Sequence, residues 1–238
     1  MSAALRRSND RKVANSLTGA GRSRIPNAFG LPAGSNFSCA GMTTGPDGCE
    51  GICYAGKLEL AYPALLPVLM GNWDLLKDAD HTTMVRLLTD MVDDFEADCR
   101  KWSAPQVFRI HWDGDFFSED YAAAWAVVIR RHPDTKFWAY TRVEDAWRLL
   151  FHAELPNLAL YFSGDPVNAD IAHQIAKEGG RVAMLGKTFE QAARTLGAKT
   201  QPVQCPELKG RIPLAGACVA CGACIRGRSN ITFSTTKR

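Results

Sequence analysis

Seven of the eight cysteines fall into two groups, and thiolates grouped in this way hold metal. The first group is Cys39, Cys49 and Cys53, in a loop rich in glycine, threonine and proline. The second is Cys205, Cys218, Cys221 and Cys224, spaced Cys-x12-Cys-x2-Cys-x2-Cys. A Cys-x2-Cys-x2-Cys run wraps three thiolates round one iron–sulfur cluster, and Cys205, followed by Pro206, supplies a fourth. Gly216 and Gly222 permit the tight backbone this needs. Four thiolates close the coordination, so a 4Fe-4S cluster there is structural or electron-carrying. Zinc is the rival, because four cysteines also make a structural zinc site. Zinc sites usually present two Cys-x2-Cys pairs, and here one partner stands alone. The first group has no evident fourth ligand. Three thiolates on a 4Fe-4S cluster leave one iron open for a substrate or cofactor. The alternative is a closed site completed by a histidine or by Cys99, although Cys99 itself reads as a packed thiol.

A second constellation lies at the ends of apolar runs. One run ends in His111-Trp112-Asp113-Gly114-Asp115, the next in Tyr140-Thr141-Arg142, and a third in Ser163-Gly164-Asp165. Two acids and a histidine at one strand tip are costly to bury unless they bind something or are hydrogen-bonded within the fold. Ser118 and Thr188 read as ordinary helix caps.

The elements that must position these groups are repeats of strand then helix. Strands are expected from Gln106 to Trp112, Lys136 to Thr141, Leu158 to Phe162 and Arg181 to Leu185, with helices after each. A long amphipathic helix is expected from Asp80 to Lys101, with Met84, Leu87, Leu88, Met91, Val92 and Phe95 on its apolar face. A strand near 27–38 and an edge strand at 199–204 bring the number to about six, the pattern of a βα repeat. The fold class is therefore α/β, a partial (β/α)6-type barrel of parallel strands, with a flat doubly wound sheet as the alternative. In both, ligands sit at the carboxyl ends of the strands. Residues 1–26 read as a basic, flexible segment, 27–204 as the barrel and 205–238 as a cysteine-rich extension.

Apolar residues make up 46% of the 238, enough for a core, and no apolar run is long enough to span a bilayer. The arginine-rich start is followed by no hydrophobic region, so a secretory signal is not expected and the cytoplasm is. Thiols stay reduced there, which favours metal over disulfides. The net charge of +3 is mild, but basic residues gather at both ends, which could touch phosphates or lie in solvent.

The three-cysteine loop ahead of βα units, with a glycine-acid strand tip, resembles the radical S-adenosylmethionine (SAM) superfamily. That resemblance implies a partial barrel in which Cys39, Cys49 and Cys53 hold a 4Fe-4S cluster that chelates SAM. Gly114 and Asp115 would stand where the superfamily's glycine-glutamate motif meets the SAM amine, with Ser163 and Asp165 also cofactor-binding. His111, Asp113, Tyr140 and Arg142 would be catalytic, and the C-terminal cysteines would hold an auxiliary cluster. A reductase, ferredoxin or flavodoxin would supply electrons, and the substrate would be a small molecule, a nucleotide or nucleic acid. The loop spacing, Cys-x9-Cys-x3-Cys, departs from the superfamily's usual Cys-x3-Cys-x2-Cys. More closely, the chain resembles the phage gene product 88 family. The shared pieces are Cys49-x3-Cys53-Tyr54-Ala55, Arg109 to Phe116 and Phe137 to Arg142. That resemblance implies a phage protein acting in the host cytoplasm, and leaves the reaction open.

Overall fold

The computed structural model describes residues 4–13, 25–197 and 201–236. The segment before the sheet carries α1 (Tyr54–Ala61), α2 (Leu66–Leu76) and α3 (His81–Lys101). Pro63 lies in the break between α1 and α2, and Pro67 sits in the first turn of α2, where its missing N–H costs nothing. Then follow β1 (Val107–Ile110), α4 (Glu119–Arg131), β2 (Lys136–Thr141), α5 (Glu144–His152), β3 (Leu158–Gly164), α6 (Ala169–Lys177), β4 (Val182–Gly186) and α7 (Phe189–Leu196). The chain ends with β5 (Val203–Gln204), α8 (Ala217–Cys221), α9 (Ala223–Arg226) and β6 (Ile231–Ser234).

The six strands form one sheet in the order β1-β2-β3-β4-β6-β5, and all pairs are parallel. Beyond β1, residues 27–31 run alongside as a rudimentary seventh strand. Arg109 N donates to Asn27 O, Phe29 N to Arg109 O and Leu31 N to Asp113 O. This segment leads directly into the first cysteine loop, as the sequence predicts.

Side chains alternate across the sheet and separate two cores. Phe108, Ile110, Phe137, Ala139, Leu160, Phe162, Val182 and Met184 point to one face and are covered by α3 to α7. Val107, Trp138, Ala159, Tyr161, Ala183 and Ile231 point to the other, against which Cys218, Ala223, Cys224 and Ile225 pack. Cys218 and Cys224 thus pack on this second face of the sheet, called the inner face below.

Several boundaries follow from local chemistry. Asp80 accepts a hydrogen bond from Thr83 N at 2.7 Å and starts α3; Ser118 and Thr188 do the same for α4 and α7. Replacing Asp80 with alanine should lower the urea midpoint, because the Thr83 N–H loses its capping acceptor. β1 stops at Ile110 rather than at Trp112, because His111 takes φ of 57°, outside the strand region. α4 ends at Arg131, since His132 precedes Pro133 and is pushed out of the helical region.

Two domain expectations are revised. Residues 205–238 are no appendage: β6 inserts between β4 and β5, so the cysteine segment is a connection within the sheet. The described part of the basic N-terminus is packed rather than free. Leu5 and Val13 are buried, and Ser8 bridges Ala28. Arg7 pairs with Asp98 at 2.7 Å and Lys12 with Glu207 at 2.9 Å. Arg22, Arg24, Lys237 and Arg238 lie outside the described residues.

Candidate metal centres

The Cys39–Cys53 loop lies across the carboxyl ends of the strands, held by four separate ties. Gly41 packs so tightly on Arg142, at the end of β2, that an added Cβ would come within 2.5 Å of its carbonyl oxygen. Thr43 Oγ1 donates to Asp165 at the end of β3, 2.5 Å away, and accepts from Cys49 N at 2.8 Å. Asp47 pairs with Lys187 beyond β4 at 2.8 Å. Ser38 accepts from Asp115 N at 3.1 Å and donates to Pro32 O at 2.8 Å. The three thiols are free and part-buried. Burial, the charge of Asp115 and that of Cys53 push the Cys39 thiol up to about 12. A thiol in that state is inert unless a metal displaces its proton.

Beneath the loop, the rim acids serve different ends. Asp115 accepts from Arg142 N at 2.8 Å and Phe116 N at 2.7 Å, so its two oxygens clamp the strand ends. Burial raises it to about 6 despite those hydrogen bonds. Gly114 has φ of 76°, and a side chain there would meet Ser38 Oγ and Leu31 O. Asp165 is fully buried and pairs with Arg142 Nη1 at 2.6 Å, while its other oxygen accepts from Val167 N and Asn168 N. Ser163 follows Ala159 and Tyr161 in the alternation, on the inner face.

Asp113 is the exception among these groups. It is 2% exposed, and neither carboxylate oxygen finds a donor among the described residues. Burial, and the carboxyl of Glu59 on α1 within hydrogen-bond reach, raise it to about 8. Burial beside a second carboxyl therefore favours the neutral form of Asp113. His111 is not brought into this group. Its Nε2 lies 2.9 Å from Tyr121 Oη on α4, and its ring packs against Phe116 on the helix side. Burial and the Arg109 charge lower it to about 3, so it is neutral.

The four C-terminal cysteines come together on the inner face. Cys224 feels the charges of Cys205 and Cys221, and Cys218 feels that of Cys224. Burial pushes Cys218 up to about 12 and Cys224 to about 11. Tyr161 Oη donates to Ala223 O, next to Cys224, at 3.3 Å. Among the described residues no three cysteine sulfurs lie within 4.8 Å of one another. Sulfurs on one tetrahedral zinc stand about 3.8 Å apart, given Zn–S near 2.3 Å. Cys99 is packed in the helix-side core, as its place on the apolar stripe implies.

The family model described as Gene product 88 matches residues 3–227. The chain belongs to the gene product 88 family. Two curated relatives are each named Gene 88 protein, from Mycobacterium phages L5 and D29. Each is 48% identical to this chain, with 99% of this chain and 100% of the relative covered. No solved structure matches the chain. Among the described residues of this gene product 88 protein, no helix is long and apolar enough to cross a membrane.

Sequence reasoning missed the residues that link the two cysteine groups. Tyr54, next to Cys53, donates to Trp112 O at 2.5 Å and accepts from Arg109 Nη2 at 2.8 Å. Arg109 Nη1 pairs with Asp10 at 2.6 Å, and the guanidinium lies 5.8 Å from the centre of the Tyr140 ring. Its signal was available: Phe108 and Ile110 face the helices, so Arg109 between them must face inward.

Proposed function

We propose that this protein is an iron–sulfur enzyme with one open-coordinated 4Fe-4S cluster at the strand rim and a second, four-cysteine cluster on the inner face. The observation that carries this reading is the seating of the Cys39–Cys53 loop on the carboxyl ends of β1, β2 and β3. Tyr54 and Arg109 connect that loop to the face on which Cys218 and Cys224 pack. In the radical SAM form of the reading, the sheet is curved as a partial barrel. A cluster bound there would supply an electron and a coordination place for SAM. The chain's own residues hold and shield it: Cys39, Cys49 and Cys53 as ligands, Arg142 and Asp165 fixing the loop, and Tyr140 and Ser163 lining the inner face. Asp113, kept protonated beside Glu59, can hold or deliver a proton at the rim. The substrate would be a small molecule, a nucleotide or nucleic acid, met in the host cytoplasm, with a reductase or ferredoxin as electron donor.

One observation favours a second reading, an iron–sulfur protein that does not use SAM. Asp115, the residue in line for the SAM amine, spends both oxygens on Arg142 N and Phe116 N. The two readings separate in one assay. Anaerobic protein given dithionite and SAM should release 5′-deoxyadenosine under the first. Intact clusters with no 5′-deoxyadenosine and no SAM-dependent change in the EPR spectrum would select the second. Stoichiometric zinc without iron would reject both, in favour of a zinc-stabilised binding protein.

A further inference from the structure

Two buried N–H groups on the inner face lack an acceptor among the described residues: Arg109 Nε and Trp138 Nε1. Each orphaned donor destabilises the fold unless something accepts from it. Trp138 is 1% exposed and belongs to the inner cluster against which Cys218 and Cys224 pack. Arg109 approaches the same thiols from β1. Its two terminal nitrogens are already committed, to Asp10 at 2.6 Å and Tyr54 at 2.8 Å. The guanidinium is thereby locked with Nε as its one donor nitrogen left unmatched. Its charge is felt at both Cys218 and Cys224.

We propose that Arg109 Nε–H and Trp138 Nε1–H are donors to sulfur of the group held by Cys205, Cys218, Cys221 and Cys224, and that they set its reduction potential. This rests on the iron–sulfur reading given above. Thiolate and sulfide sulfurs are acceptors, and a cluster needs such outer contacts to be oriented and tuned. One-electron reduction by dithionite adds one negative charge at the site and breaks no bond. Donors and a cation beside that site stabilise the reduced form more than the oxidised form, so they raise the potential. Asp10 and Tyr54 are the positioning residues in this account, because they lock Arg109.

The test uses the full chain carrying Cys39→Ala, Cys49→Ala and Cys53→Ala, so that one site titrates. Potentials are read by EPR-monitored dithionite titration in that parent, in Trp138→Phe and in Arg109→Gln. Both variants should keep the parent's iron and sulfide while the potential shifts lower. Arg109→Gln should shift further, because it also leaves the Asp10 carboxylate uncompensated. If Arg109→Gln does not fold, Trp138→Phe decides by itself, since it changes no charge. Iron retained at the parent's potential in the folded variants would overturn this inference alone. A parent without iron or sulfide at the four cysteines would overturn both it and the iron–sulfur reading.

Discussion

Replacing Arg142 with methionine should destabilise the fold by about 3 kcal/mol and loosen the first cysteine loop. Arg142 is 11% exposed, and its partner Asp165 is wholly buried at 2.6 Å. Removing one member of a buried pair leaves an uncompensated charge, which costs about 3–5 kcal/mol. The lower figure is expected, because Asp165 keeps hydrogen bonds from Thr43, Val167 and Asn168. Methionine keeps the stem's packing, so the loss reports the charge. The double variant Arg142→Met, Asp165→Asn should recover a large part of it, since no buried charge remains. Urea unfolding of the two single variants and the double gives the coupling directly. Additive losses would show that the pair does not anchor the loop.

Replacing Asp113 with asparagine should stabilise the protein, and more so as the pH rises. The folded state holds Asp113 at about 8, above its ordinary value of 3.8. Its neutral form is therefore favoured by folding. That contribution is complete below about pH 4 and is lost as the pH climbs through 8, because the unfolded chain gives up the proton first. Asparagine is neutral at every pH and escapes this loss. At 1.36 kcal/mol per pH unit, a rise of about four units sets a ceiling near 5 kcal/mol at pH 8. The difference between variant and wild type should be near zero at pH 4 and grow steadily to pH 8. A pH-independent difference would mean that Asp113 is solvated and that burial does not hold it neutral.

How much was legible in the sequence divides along physical lines. Periodicity and caps located α3, α4, β2, β3 and α7 almost residue by residue, because their signals are local. β6 went unread: Ile231-Thr232-Phe233-Ser234 is short and sits beside a basic end, and its parallel partners Ala183 to Gly186 lie far back in the chain. The same non-local pairing hid Leu5 and Val13, which look like part of a charged tail until the sheet gives them a core to enter. The cysteines and rim residues were readable from type and spacing. Their roles were less so. His111 and Asp113 are two residues apart, yet one turns to the helices and the other to α1, because His111 has left the strand conformation. The Glu59–Asp113 pair joins residues from different elements, and nothing local marks it.

The central claim is that two cysteine groups hold two separate iron–sulfur centres. Its most direct test is iron, sulfide and zinc per chain in anaerobically prepared wild type and in two variants. One variant replaces Cys39, Cys49 and Cys53 with alanine, and the other replaces Cys205, Cys218, Cys221 and Cys224. The account predicts about eight irons and eight sulfides per wild-type chain and about four of each in either variant. Wild-type protein holding zinc and no iron, or an iron content unmoved by loss of the first three cysteines, would contradict it.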